Sequence, residues 1–266
     1  MKILRYQDRS GHIHVAQQNP DLGFERLEGD MFSRLTPTGE VADVVKILAP
    51  VAPPAIFCVG LNYRRHAAET GARVPEIPIL FMKGPNTVQN SGDPICIPTQ
   101  LASDEVDYEC ELAVVIGKTA KNVKRGEAFN HILGYTAAND VSARDWQIKK
   151  GGSQWCRGKT FDTFCPLGPV LVTPDEIPNP NDLGIRTILN GETVQDCNTN
   201  DMIFDVPSLI EFLSGSTTLF PGTVILTGTP HGVGMAANPP RWLKPGDSVT
   251  IEIDRIGALI NPVALE

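Results

Sequence analysis

Asp107-Tyr108-Glu109-Cys110-Glu111-Leu112-Ala113-Val114-Val115-Ile116 is the stretch on which both fold and chemistry turn. Its second half is an apolar, β-branched run, the pattern of a buried strand. Residues two apart on a strand share a face, so Glu109 and Glu111 should project together at its start. Two carboxylates aimed the same way repel each other, and a cation between them removes that cost. A third acid, Asp140, stands in Ala137-Ala138-Asn139-Asp140-Val141-Ser142. An all-oxygen set with open positions favours Mg²⁺, Mn²⁺ or Ca²⁺ over Zn²⁺.

Around this stretch the chain reads as many short strands and few helices. Ala55–Gly60, Ile79–Lys83, Pro169–Thr173, Leu183–Leu189, Thr223–Thr227 and Ser248–Ile253 have strand composition. Asn190-Gly191 between two such runs is a type I′ hairpin signal, and Asp8-Arg9-Ser10-Gly11 marks another hairpin near the N-terminus. The expected helices are a short one from Asn62, as N-cap, to Gly71, then Ser142–Lys149 and Val206–Ser214. With no βαβ rhythm, the expectation is a β-rich α+β fold with antiparallel or mixed sheets. Ala49-Pro50-Val51-Ala52-Pro53-Pro54 reads as a stiff linker. It would divide a small β-rich domain, 1–50, from a larger one, 51–266.

The bulk numbers narrow the function classes. A chain of 266 residues with 41% hydrophobic residues can bury a full core. A net charge of −8 and the lack of a basic patch argue against nucleic acid as a partner. No run approaches the length of a membrane span, and the first residues lack a signal-peptide apolar stretch. Six cysteines without a CxxC pair fit reduced, buried thiols, and the expected location is the cytoplasm.

Several polar constellations accompany the acids. His66 and Glu69 share one face of the short helix, and a carboxylate beside an imidazole fixes its tautomer and raises its basicity. Alone, such a pair describes a solvated helix face. Its setting between Gly60 and Gly71, before a Pro-containing stretch, is how a mobile lid would be built. Arg144 and Gln147 follow Asp140 closely, and the arginine fork suits a substrate carboxylate. Lys159, in Arg157-Gly158-Lys159-Thr160-Phe161-Asp162, is a candidate to stabilise a developing enolate oxygen. The loop Leu226-Thr227-Gly228-Thr229-Pro230-His231-Gly232-Val233-Gly234 is neither a P-loop nor a GxGxxG turn. Its small residues would let backbone and the Thr229 hydroxyl approach a ligand.

Taken together, Gly60 to Glu69, Asp107 to Gly117, Asn139 to Asp145, Gly158 to Asp162 and Leu226 to Gly234 resemble the fumarylacetoacetate hydrolase family. The match runs in order over about residues 53 to 263, nearest the acylpyruvase and oxaloacetate-processing branch. The resemblance implies a mixed β-roll or barrel, with 1–50 as the variable N-terminal segment, and a homodimer. It implies a Mg²⁺ or Mn²⁺ site made by Glu109, Glu111 and Asp140. His66 and Glu69 would be a water-activating dyad on a lid, and Lys159 would sit beside the substrate oxygens. Arg144 and Gln147 would hold the substrate carboxylate, with Tyr63 and Thr229 completing the pocket.

The activity expected first is hydrolysis of a C–C bond in a β-diketo acid of the acylpyruvate or fumarylpyruvate type, through a metal-stabilised enolate. An oxaloacetate decarboxylase or tautomerase on the same site is the nearest alternative, because it needs enolate stabilisation and a proton shuttle but no attacking water. A 2,4-diketo-3-deoxy sugar-acid hydrolase is another. A catalytically idle metal-binding protein is the alternative of a different class. The segment carrying Arg64, Arg65 and Arg73 and the loop 231–242 would set selectivity for the small 2-oxo acid.

Overall fold

The burial of Cys110–Ile116 organises the architecture: every residue of this strand is inside. The structure is a computed structural model describing residues 1–152 and 154–266. In chain order its strands begin with β1 (Lys2–Gln7), β2 (Ile13–Asn19), β3 (Gly23–Asp30), β4 (Arg34–Val41), β5 (Lys46–Leu48) and β6 (Ile56–Gly60). Then come helix α1 (Arg64–Glu69), β7 (Ile79–Lys83), β8 (Val88–Gln89), β9 (Ile95–Ile97), β10 (Val106–Asp107), β11 (Cys110–Ile116), β12 (Ile132–Asn139) and β13 (Ser142–Ala143). The rest comprises α2 (Cys156–Lys159), β14 (Cys165–Val172), β15 (Gly184–Leu189), β16 (Glu192–Asn198), α3 (Val206–Ser214), β17 (Val224–Leu226), β18 (Ser248–Ile253) and β19 (Gly257–Leu265).

A large mixed sheet runs β4-β3-β2-β1-β14-β12-β11-β17-β6-β7, with β5 added to β1 and β8 to β14. A second sheet runs β16-β15-β18-β19-β9. Most pairs are antiparallel, and β17–β6, β14–β8 and β19–β9 are parallel. The apolar alternate positions of the two sheets meet in one core that includes Leu112, Val114, Ile185, Ile251 and Leu259. This is the β-rich α+β architecture expected, with mixed sheets and, among the described residues, no closed barrel. Strands β1–β4 continue the large sheet through antiparallel pairing of β1 with β14. The Pro-containing stretch after β5 runs against the body, with Ala49 and Val51 buried.

Both hairpin signals are realised. Asn190 and Gly191 hold φ of 52° and 85° between β15 and β16, the left-handed pair a type I′ turn needs. Helix α3 has the expected bounds, with Asp205 as N-cap accepting from Ser208 N. Two expectations are corrected. Ser142–Lys149 is not an α-helix: Ser142 and Ala143 pair with β10, and Asp145–Lys150 forms a π-helical turn. Asn62 does not cap α1, whose N-cap is Tyr63 without a side-chain bond. Its amide instead donates to Phe204 O and Thr227 O, which braces the strand end against the 226–234 loop.

Candidate active site

Strand pairing explains why the three acids meet. In the β11–β12 ladder Cys110 lies opposite Asn139, so the start of one strand adjoins the end of the other. Asp140 N donates to Glu109 O at 2.9 Å, and Glu109 N donates to Asn139 Oδ1 at 3.0 Å. Glu109, Glu111 and Asp140, all buried, each offer one oxygen within 4.8 Å of the others.

Three cationic side chains partly neutralise them. Lys159, brought in by α2, donates to Glu109 Oε2 and Asp140 Oδ2, both at 2.8 Å. Lys83, at the end of β7, donates to Asp140 Oδ1 at 2.6 Å and to Val141 O at 3.0 Å. Arg144 donates through Nε to Asp107 Oδ2 at 2.8 Å, and its Nη2 lies 2.7 Å from Glu109 Oε1. Glu111 is the member without a cationic contact. Its Oε2 accepts from Gly228 N at 2.6 Å. Gly228 has φ of 101°, and a Cβ there would stand 2.7 Å from Asn62 Cβ, so only glycine brings this N–H so close.

The electrostatics follow from this unequal sharing. Burial would raise the Glu109 carboxyl, but Lys159 and Arg144 outweigh it and hold the group well below the usual carboxylate range. Burial and the like charges of Asp140 and Glu109 push Glu111 well up. Burial would lower Lys159, yet Asp140 and Glu109 keep it above its ordinary value. Four buried carboxylates, counting Asp107, face three buried cationic side chains. A divalent cation fits this donor set: it would meet hard oxygen ligands, among them the one carboxylate of the three that has no direct cationic contact among the described residues.

Glu109, Glu111, Arg144 and Lys159 line a cavity of about 200 Å³ with His66, Gln147 and Thr229. His66 Nδ1 is 2.7 Å from Glu69 Oε1. Glu69 Oε2 accepts from Gly232 N at 2.9 Å, which ties the dyad to the 226–234 loop. With Nδ1–H given to Glu69, Nε2 is the free acceptor on a ring that lines the cavity. Gln147 Oε1 accepts from Arg144 Nη1 at 3.0 Å, and Thr229 Oγ1 accepts from Gln195 Nε2 at 2.9 Å.

The candidates therefore divide. The structure brings His66, Lys159, Arg144, Gln147, Thr229, Glu109 and Glu111 to one cavity, with Asp140 and Glu69 directly behind them. Tyr63 is not brought to it. Its side chain is wholly buried and packs in the hydrophobic core. Arg144 reaches the cavity already engaged by Asp107 and Glu109, so it is not an uncommitted fork for a substrate carboxylate. Arg64 donates to Asp201 O and Met202 O, and Arg73 pairs with Glu76, so neither faces the cavity.

Three functional neighbours escaped the sequence reading. Lys83 shares a strand face with buried Phe81, between exposed Leu80 and Met82, and that inverted alternation was its one signal. Asp107 accepts Gly234 N at 2.7 Å and Met235 N at 3.0 Å as well as Arg144, joining the loop to the acid cluster. Gln195 saturates both ends of its amide with Cys110 N, Thr187 Oγ1, Thr229 Oγ1 and Pro230 O, and so fixes Thr229.

Known proteins resemble this chain in sequence and in fold. Residues 55–264 match the family described as fumarylacetoacetate (FAA) hydrolase, C-terminal. The chain is 54% identical over 220 residues to the Xenopus laevis protein named oxaloacetate tautomerase fahd2, mitochondrial, covering 82% of this chain and 68% of that one. It is 50% identical to human oxaloacetate tautomerase FAHD2A, mitochondrial, with 82% and 69% covered. Among solved structures, 2-hydroxyhepta-2,4-diene-1,7-dioate isomerase from Mycobacterium marinum superposes with a TM-score of 0.85 at 36% identity, over 100% of this chain and 99% of that one. 5-Carboxymethyl-2-hydroxymuconate delta-isomerase from Mycobacterium smegmatis gives 0.86 at 37% identity, with both chains fully covered. The chain belongs to the fumarylacetoacetate hydrolase family of enzymes.

Proposed function

We propose that this enzyme interconverts the enol and keto forms of oxaloacetate or a close 2-oxo acid, with Mg²⁺ or Mn²⁺ as cofactor. The observation that carries the reading is a proton-transfer dyad and a carboxylate cluster facing one cavity. The names of the relatives at 50–54% identity support oxaloacetate as substrate.

A divalent cation held by Glu109, Glu111 and Asp140 would supply Lewis acidity to the oxygens of the oxo acid. The chain's own groups do the rest. Lys159 keeps a full positive charge at the cavity wall, where an enolate oxygen gains negative charge. His66 takes the enol proton on its free ring nitrogen and returns a proton to C3. Glu69 holds the tautomer and balances the imidazolium formed in between. Atoms balance without any co-reactant, since one O–H is lost and one C–H gained. Gln147 offers its amide N–H groups to the substrate, its oxygen being engaged by Arg144.

A second reading, hydrolysis of a β-diketo acid, is favoured by the same dyad, since an imidazole backed by a carboxylate can also activate water. Ultraviolet decay of enol-oxaloacetate, run beside pyruvate release from an acylpyruvate panel, separates the two. Fast ketonisation without pyruvate is expected. Pyruvate release from an acylpyruvate with no effect on the enol would overturn the tautomerase reading.

We further propose a homodimer. β7 is an edge of the large sheet, and Ile77, Leu80 and Met82 are exposed on or beside it. An uncovered apolar edge strand is a ready pairing surface. Light scattering reporting twice the chain mass, reduced to one chain mass by Leu80→Glu, is the expected result.

A further inference from the structure

The cavity has two chemically different linings. Beside the carboxylate cluster, its lining is apolar, made by Val59, Leu61, Phe81, Ile148, Trp155 and Met235, and the two linings meet where Lys159 Nζ stands 5.0 Å from the Phe81 ring centroid. Trp155 stands edge-on to Phe81, with ring centroids 5.8 Å apart and planes at 70°. Gly60 permits this: a Cβ there would lie 2.3 Å from Trp155 Cζ3. Ile148 is more than half exposed (53%) on the π-helical turn while lining the same cavity. It is an apolar side chain held at the opening without a protein partner to cover it.

No uncommitted cation serves the apolar lining. Lys159 and Arg144 are the only lysine and arginine lining the cavity among the described residues. Both are held by Glu109, with Asp140 and Asp107 respectively. The neighbours of Ile148 are committed as well, Lys149 to Glu105 and Lys150 to Asp145. A substrate carboxylate pushed against Trp155 and Ile148 would lose its hydration and meet no uncommitted cation, Lys159 beside Phe81 being held by Glu109 and Asp140. An apolar ring there would instead meet aromatic edges and faces.

We propose that the site also tautomerises 2-oxo acids bearing an apolar, uncharged group on C3, with arylpyruvates as the best-fitting class. The proposal rests on the tautomerase reading above. The reaction is the same exchange of one enol O–H for one C3–H, so nothing further is consumed. The 2-oxo acid head lies at the carboxylate cluster, and the C3 substituent lies along Phe81, Trp155 and Ile148.

The test uses the full chain with Mg²⁺ and follows enol decay of oxaloacetate and of phenylpyruvate in wild type and in Ile148→Lys. Wild type is expected to accelerate both. Ile148→Lys is expected to lower kcat/KM for the phenylpyruvate enol by about tenfold or more, without a matching loss on oxaloacetate. Calorimetric titration with 3,3-dimethyl-2-oxobutanoate, which has no C3 hydrogen and cannot enolise, reads the apolar wall without turnover. It should bind about tenfold more weakly to Ile148→Lys than to wild type. Acceleration of oxaloacetate alone overturns this proposal and leaves the tautomerase reading standing. Acceleration of neither enol overturns both. Equal losses on the two enols in Ile148→Lys, or unchanged binding of the probe, overturn the assignment of the wall.

Discussion

Lys83 Nζ donates to Asp140 Oδ1 at 2.6 Å, and neither side chain has any exposure to solvent. The pair joins an edge strand to the acid cluster, since β7 connects to β11 only through β6 and β17. Removing Lys83 leaves Asp140 held by Lys159 alone, so what is lost is one buried hydrogen bond between charged groups, at a cost of about 1.5–3 kcal/mol. Lys83→Met should therefore lower the unfolding free energy by that order in urea titrations. Its divalent-cation affinity should fall too, because Asp140 loses one of the two lysines that orient it. A variant as stable as wild type would contradict the pairing.

How much of this was legible in the sequence depends on the range of each interaction. The β11 run, the Asn190-Gly191 turn and the Asp205 cap are local, and periodicity or turn chemistry reads them directly. Glu109 and Glu111 were legible because strand period 2 puts them on one side. Their partners Lys83, Lys159 and Arg144 arrive from other elements, and no spacing rule predicts which lysine ends up buried. The segment 142–150 failed for a different reason. A π-helical turn and an α-helix share composition, and here the turn lies where Gly158 packs so closely that a Cβ would stand 2.6 Å from Ala143 O and Gln147 N, a contact from a distant segment. Tyr63 stands between Leu61 and His66, which line the cavity, while its own side chain is buried in the core, and sequence spacing does not separate the two cases.

Glu111 separates metal binding from stability. It has no cationic contact and lies among like charges, while Gly228 N–H can donate equally well to an amide oxygen. Glu111→Gln should leave the metal-free protein as stable as wild type, or more so, by thermal melting. Its Mn²⁺ affinity should fall by at least the roughly 10–100-fold that loss of an outer partner costs. Unchanged Mn²⁺ affinity in a calorimetric titration would remove Glu111 from the ligand set.

The cysteines give a prediction with a pH sign. All six are free thiols, and Cys58, Cys110 and Cys165 are fully buried. Burial pushes all three up, Cys165 to about 12. Raising pH favours the reactive thiolate, but at pH 9 these three remain protonated and enclosed. Native protein at pH 9 should thus release no more than three equivalents of thionitrobenzoate from Ellman's reagent, and six after denaturation. A fourth fast equivalent in the native state would show that one of the three sites opens.

The His66–Glu69 contact distinguishes the two chemistries assigned to the cavity. Ketonisation needs one group that carries a proton over a short path, and a bound water can replace an imidazole there at reduced rate. Hydrolysis needs water to be deprotonated before it attacks, a step for which a water molecule is a poor base. His66→Ala should therefore lower acylpyruvate hydrolysis by the full ~10²–10⁴-fold expected for loss of a general base, and enol-oxaloacetate ketonisation by less. Glu69→Gln keeps its oxygen on Gly232 N–H and turns its NH2 toward His66 Nδ1, so the ring stays in place with its proton moved to Nε2. It removes the charge that balances the imidazolium, so kcat should fall with KM nearly constant. A KM rise with unchanged kcat in Glu69→Gln would assign Glu69 to substrate binding and leave His66 without its partner in proton transfer.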